Sequence, residues 1–374
     1  MLDRAKVMRE LSGASSSLFL DFSQEYEQAY AAWLACTKDT LLIQKVRAHP
    51  TYNLATWHEW LAQKHAVVPY KSAYHIVSVD GSQIYPDKHQ GTTCFLINIG
   101  TVVMHYGQGE GVRYFASEPF LFVEHDLDDE LSRGVDVVNG KREEFEFQNG
   151  LTVCTSLQAE YPDDPILFLF DGSLIFWHLE AKEAALKQYF LQAYCQLLEQ
   201  FQALNIPIMG YISLPKSKDI VQIVRAHMTD FSPSLTERTQ KIPHTIDTGL
   251  CYFFLEPGQR TILFESHTPI TAHYPPALRP WFCYYATAYE TVRLEFPYYV
   301  ACDSDLLERC IAIVADQVMK GNGYPISTAE AHVQAVVKGP DREFFYHAVE
   351  KYSVDQKKRL LMSQKSLKKR KMSI

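Results

Sequence analysis

Asp80 and Asp171 carry the clearest chemistry in this chain. Each closes an apolar run, Tyr74-His75-Ile76-Val77-Ser78-Val79 and Ile166-Leu167-Phe168-Leu169-Phe170, and each is followed by the same Gly-Ser pair. The runs read as buried strands that stop at a charged residue. Such a carboxylate is hydrogen-bonded by the turn that follows, paired with a base, or bound to a cation, because leaving it unpaired is costly. An Asp-Gly-Ser string after a strand is ordinarily a turn in which the aspartate caps backbone N–H groups. Two of them beside strands point further, to carboxylates at neighbouring strand ends that converge on divalent cations. One or two such ions suit phosphodiester cleavage by in-line displacement. A third acid is expected from the helix before the second strand. There Lys141-Arg142-Glu143-Glu144-Phe145-Glu146 offers three carboxylates that cannot all face inward. Glu146, among Phe145, Phe147 and Leu151, is favoured; Glu143 is the fallback, and the choice among Glu143, Glu144 and Glu146 stays open. His332, in Ala329-Glu330-Ala331-His332-Val333, is suited to ligate a metal or shuttle a proton.

The elements that must position these residues change period along the chain. Residues 1–70 read as a helical N-terminal extension, with helices over Phe22 to Thr40 and Leu54 to Lys64. From Tyr74 a β-meander is expected, with strands at His75 to Val79, Thr93 to Tyr106 and Phe120 to Glu124. A helix over Gly140 to Leu157, a strand over Ile166 to Phe170 and a helix over Glu180 to Leu204 follow. Next come a strand at Ile208 to Ser213, a helix from Lys216 to Ala226 and a loop holding Pro233 and Pro243. Tyr252 to Leu255, Arg260 to Glu265 and Phe282 to Glu295 read as strands, and Asp303 to Met319, Thr328 to Val337 and Asp341 to Lys358 as helices. This order predicts an α/β fold, a ribonuclease-H-like mixed sheet flanked by helices, with helical N-terminal and C-terminal extensions. The divisions expected are 1–70, a nuclease-like domain over 71–345, and a basic tail over 346–374.

Composition bounds the reading. The 374 residues have a net charge of −8, but residues 351–374 hold nine Lys and Arg against Asp355 alone, a net of +8 that leaves −16 on the rest. Such a tail is a solvated end or a phosphate contact. The longest apolar stretch, Ile166 to Trp177, is broken by Asp171 and too short for a bilayer, so no membrane association is expected. The first residues, Met1-Leu2-Asp3-Arg4-Ala5-Lys6, do not lead into the apolar region of a signal peptide, which predicts a cytoplasmic protein. Eight dispersed cysteines without a Cys-x-x-Cys pair read as reduced core residues.

Taken in order, further strings extend the pattern of the two aspartates. They are Gly210-Tyr211-Ile212-Ser213-Leu214-Pro215-Lys216-Ser217-Lys218, Asp247, Arg293-Leu294-Glu295-Phe296-Pro297, and Gly323-Tyr324-Pro325 eight residues before Ala331-His332. From residue 74 to about 345 the chain resembles the NurA nucleases. The resemblance implies a manganese-dependent (or magnesium-dependent) 5′ to 3′ exonuclease with single-strand endonuclease activity, binding one or two ions. It implies work on duplex ends and single-stranded DNA in DNA end processing and double-strand break repair, as a nucleoid-associated homodimer that docks on a HerA-type hexameric ATPase. Asp80, Asp171 and His332 carry over as metal-site residues, Tyr324 as a catalytic residue, and the helix glutamate in an open register. The acidic stretch Tyr106 to Val138 and the first seventy residues fall outside the pattern.

Other templates fail on their residues. A phosphoaspartate hydrolase wants a second aspartate where Ser173 stands, Gly107-Gln108-Gly109-Glu110-Gly111 lacks the Lys-Ser/Thr of a P-loop, His58-Glu59 with His65 lacks zincin spacing, and there is no Gly-x-Ser-x-Gly elbow. Arg260, Arg293 and Glu295 read as structural ion pairs, and Lys216 and Lys218 as residues able to meet a phosphate. Strand polarity and DNA versus RNA preference are not written in the residues. The reading from another class is a catalytically inactive DNA- or ATPase-binding adaptor of the same fold.

Overall fold

A computed structural model describes residues 2–15, 21–49, 53–87, 94–107, 113–123, 134–232 and 234–356. The acidic run at 124–130 and the tail from 357 onward lie outside these residues, as do 108–111 of the glycine-rich stretch. The strands are β1 (Lys64–Ala66), β2 (Tyr74–Ile84), β3 (Phe95–Tyr106), β4 (Arg113–Phe122), β5 (Ile166–Phe170), β6 (Ile208–Ile212), β7 (Gln259–Thr261), β8 (Phe264–Glu265), β9 (Pro280–Ala286) and β10 (Thr291–Pro297). The helices are α1 (Arg4–Gly13), α2 (Ser23–Lys38), α3 (Leu42–Ala48), α4 (Val135–Glu160), α5 (Ala184–Ala203), α6 (Asp219–Met228), α7 (Leu235–Gln240), α8 (Asp247–Cys251), α9 (Tyr298–Ala301), α10 (Ser304–Lys320), α11 (Ile326–Ala335) and α12 (Gly339–Asp355).

The strands build one mixed sheet in the order β1-β7-β9-β10-β6-β5-β2-β3-β4, with β8 against β9. Within it, β2, β3 and β4 form the antiparallel meander, and β5 and β6 join parallel to β2. That half of the sheet, β4-β3-β2-β5-β6, is the ribonuclease-H-like arrangement expected from the element order. Period-2 alternation separates its faces. Val77, Val79, Phe168 and Phe170 pack on α4 and α5, whereas Ile76, Leu167, Leu169 and Met209 pack on α10 and α11. At the far end, Phe282 and Tyr284 of β9 meet α2 and α6 through Ala29, Trp33, Ile220 and Val224. Helices α2 and α3 thus share a core with the sheet, whereas α1 has no buried residue, and β1 extends the sheet. Helix α12 runs through residue 345.

Four readings are corrected. Leu54 to Lys64 is not a helix: Leu54, Ala55, Trp57 and Leu61 are buried from an irregular path pinned by a bridge between Thr56 and Glu265. Tyr252 to Leu255 is not a strand but follows α8 in tight turns, Tyr252 N–H donating to Thr248 and Leu255 N–H to Cys251. Phe282 to Glu295 divides into the hairpin β9–β10, and the stretch between Pro233 and Pro243 contains α7. Six cysteines are buried, Cys94 is half-buried and Cys302 is exposed, with no disulfide among them. Among the described residues no helix is long and apolar enough to cross a membrane.

A chain of polar groups crosses the core beneath β6 and β10. Asp247 is fully buried and accepts hydrogen bonds from Val221 N–H at 2.8 Å and Tyr284 O–H at 2.6 Å. The Tyr284 hydroxyl in turn accepts from Arg293, whose guanidinium pairs with Asp219 and Glu295, both at 2.6 Å. Burial, and then the charge of Asp219, pushes the Asp247 carboxyl up to about 7. The folded state therefore holds this proton more tightly than the unfolded chain, where an aspartate titrates near pH ~3.9. Its contribution is complete below about pH 4 and is lost as pH rises through about 7. In urea unfolding, Asp247→Asn is expected to gain stability relative to the wild type as pH goes from 4 to 7; a pH-independent difference would contradict the assignment.

Candidate active site

Strand pairing decides where the two aspartates lie. Strand β2 does not stop at Asp80, because β3 continues to pair beside it, Asp80 opposite Gly100, Gly81 opposite Ile99 and Ser82 opposite Asn98. Only the second string ends its strand: β5 closes at Phe170, and Asp171-Gly172-Ser173 turns away. The parallel register of β2 and β5 sets Val77 opposite Phe168, so three residues further on Asp80 comes level with Asp171. Neighbouring strands lie about 4.8 Å apart, which brings both carboxylates to one place.

The turn carrying Asp171 is held from below. Glu295, buried and paired with Arg293, accepts from the Ser173 hydroxyl at 2.7 Å and the Leu174 N–H at 2.8 Å. Arg293 and Glu295 are thus the structural ion pair expected, as is Arg260 with Glu308.

Helix α4 delivers the third carboxylate. Glu146 is 3% exposed, and its Oε1 has no hydrogen-bond partner, with the Arg142 guanidinium 3.4 Å away. Burial raises the Glu146 carboxyl well above its usual range, and Asp80 and Glu143 raise it further, while Arg142 and the Gly81 N–H oppose. Gly81 makes this approach possible: a Cβ there would lie 2.6 Å from both Glu146 Oε1 and Arg142 Cγ. Glu143 reaches the same cleft and pairs with His178 at 3.0 Å, whereas Glu144 is held by Lys141 at 2.9 Å.

On the opposite face, α11 brings His332 to Asp80, Nδ1 to Oδ2 at 2.7 Å. Tyr324, just before α11, donates its hydroxyl to Asp171 and packs edge-on against Tyr211. Asp171 is open to solvent yet enclosed by the cleft walls. That enclosure, and then the charge of Asp80, raises its carboxyl, while Tyr324 and His332 pull it down. Burial and the neighbouring Asp171 carboxylate hold the Tyr324 phenol well above its usual range.

Asp80, Glu143, Glu146 and Asp171 line a cleft of about 640 Å³. A second cleft of about 480 Å³ adjoins it through Ser173 and Trp177 and carries Lys216 and Lys218. Lys218 donates to the Pro243 carbonyl at 2.7 Å, which leaves Lys216 as the better placed cation. Arg142, Trp177 and His178 were not anticipated from sequence. The i, i+4 spacing of Arg142 and Glu146 was the one available signal, and Trp177 and His178 reach the cleft only through the fold of the loop after β5.

The closeness of α11 to the sheet is testable. A Cβ at Gly100 would come within 2.4 Å of Ala335 N and 2.5 Å of Ala331 O, both backbone atoms that cannot step aside. Gly100→Ala should cost roughly 1–3 kcal/mol by overpacking and move His332 from Asp80, read as a lower Tm together with a loss of any activity that needs the pair.

Comparison with known proteins follows the same lines. The crystal structure of the NurA nuclease from Sulfolobus solfataricus aligns with a TM-score of 0.51 at 10% identity, over 95% of this chain and 98% of that one, a likeness of fold. A crystal structure of NurA bound to dAMP and manganese aligns at 12% identity with a TM-score of 0.35, over 85% of this chain and 94% of that one. No curated protein matches the chain by sequence. The family model described as the NurA domain matches residues 74–337, from the first residue of β2 to just beyond α11, and the chain belongs to that family.

Proposed function

We propose that this protein is a divalent-metal-dependent deoxyribonuclease whose active site is the cleft between Asp80, Glu146 and Asp171. The observation that carries the reading is the register that sets Asp80 level with Asp171 beside a buried glutamate whose Oε1 has no hydrogen-bond partner. Such a set of hard oxygen donors fits Mn²⁺ or Mg²⁺, one ion or two. When bound, the cation supplies Lewis-acid stabilisation of a phosphodiester and a more acidic water.

The chain's own groups supply the rest. Asp80 orients the His332 imidazole through Nδ1, leaving Nε2 to hold or pass a proton at the scissile phosphate. Tyr324 fixes the Asp171 carboxylate by its hydrogen bond, and Arg142 offsets part of the negative charge around Glu146. Trp177, 40% exposed where the two clefts meet, offers a face on which a base can stack, and Lys216 a charge for a phosphate. Family membership extends the reading to 5′ to 3′ exonuclease and single-strand endonuclease activity in DNA end processing, as a cytoplasmic homodimer working with a HerA-type ATPase.

Purified protein should degrade end-labelled linear DNA with Mn²⁺. Asp80→Asn and Asp171→Asn, still folded by circular dichroism, should each lose activity by at least about a hundred-fold, the scale on which a single electrostatic catalytic group acts. Full activity in either variant would sink the assignment, and DNA binding without cleavage by the wild type would leave the adaptor reading. Trp177→Ala is expected to raise KM for single-stranded DNA by the equivalent of roughly 1–3 kcal/mol with a smaller change in kcat.

A further inference from the structure

Near the start of β2, five residues before Asp80, three ligand-type atoms meet with no part in the proposed reaction. His75 and His105 face each other across β2 and β3 in direct register, and Asp164 lies just before β5, whose Ile166 pairs with His75. His75 Nε2 is 3.2 Å from both His105 Nδ1 and Asp164 Oδ2, and all three atoms lie within 4.8 Å of one another. His75 is fully buried, and its Nδ1 has no hydrogen-bond partner, so Nε2 is the only ring nitrogen engaged. The Tyr161 ring, just past the end of α4, closes over both imidazoles at 4.5 and 6.3 Å.

A shared proton does not satisfy this arrangement. A hydrogen on Nε2 is donated to one neighbour and leaves the other facing it, whereas a cation accepts a lone pair from each. Two of the three spacings, those from His75 Nε2, agree: bonds of about 2.0–2.1 Å at tetrahedral angles place ligand atoms about 3.3 Å apart, and the third pair lies within 4.8 Å. We propose that His75, His105 and Asp164 form a second metal site, for Zn²⁺ or a similar first-row divalent ion, that clasps β2, β3 and the α4–β5 connection. Two imidazoles and one carboxylate are a borderline-soft donor set, unlike the three carboxylates of Asp80, Glu146 and Asp171 in the cleft some 16 Å away along β2, at about 3.3 Å per residue. The ion's part is to join β2, β3 and the α4–β5 connection beside Tyr161, and the inference does not depend on the nuclease reading.

The test uses full-length protein stripped with chelator and carrying Asp80→Asn and Asp171→Asn, so that the cleft does not compete for metal. Titration with Zn²⁺ alone should show one ion bound per chain and a rise in Tm, and Co²⁺ in its place should give the visible d–d band of a tetrahedral site. Adding His105→Asn, or Asp164→Asn at its half-exposed position, should weaken Zn²⁺ binding at least about ten-fold and abolish the Co²⁺ band. Failure of the stripped protein to bind Zn²⁺, or binding unchanged by both added substitutions, would overturn the proposal.

Discussion

Like charges drawn into one cleft repel, and much of this molecule is organised around holding Asp80, Glu146 and Asp171 together despite that repulsion. Each is restrained differently. Asp80 is fixed by a continuous strand and by His332, Glu146 is enclosed by α4 with Arg142 beside it, and Asp171 sits on a turn steadied by Tyr324. Arg142 offsets part of the negative charge that results. In the proposed function a divalent cation supplies the remaining counter-charge.

The turn that bears Asp171 depends on groups far from the cleft. Glu295 receives the Ser173 hydroxyl and the Leu174 N–H, Arg293 pairs with Glu295 and Asp219, and Tyr284 links Arg293 to Asp247. Buried ion pairs contribute little net stability, because desolvation offsets most of their attraction. Their effect here is positional. They tie β5, β9, β10, α6 and α8 to one loop conformation.

Local pattern made much of the fold legible. Helices α2, α5, α10, α11 and α12 were anticipated within a few residues, and β5 to the residue, because apolar periodicity and clear breakers bound them. Asp80-Gly81-Ser82 misled as a turn since its conformation is set by partners in β3 far along the chain, Gly100, Ile99 and Asn98, and Gly81 serves the approach of α4 rather than a reversal of the chain. Leu54 to Lys64 mimicked a helix because Leu54, Trp57 and Leu61 have helical spacing, while a bridge to Glu265 determines their path. The candidate site divides in the same way. Asp80, Asp171 and His332 could be named from their strings, Glu146 as one of three glutamates and Tyr324 through the resemblance, and all are brought together in the fold. The register that levels the aspartates, the sorting of Glu143 and Glu146 from Glu144, and the support from Glu295 arise only from tertiary pairing.

Gly100 decides how one wall of the cleft is built. Because α11 rests directly on the backbone of β3 opposite Asp80, the strand and the helix that carry Asp80 and His332 form one stiff body. Asp171 stands on the other side of the cleft, on a turn beyond the end of its strand. The two walls are thus held by different means: the packing of α11 on β3 sets His332 against Asp80, and the buried Glu295–Arg293 pair holds the turn of Asp171.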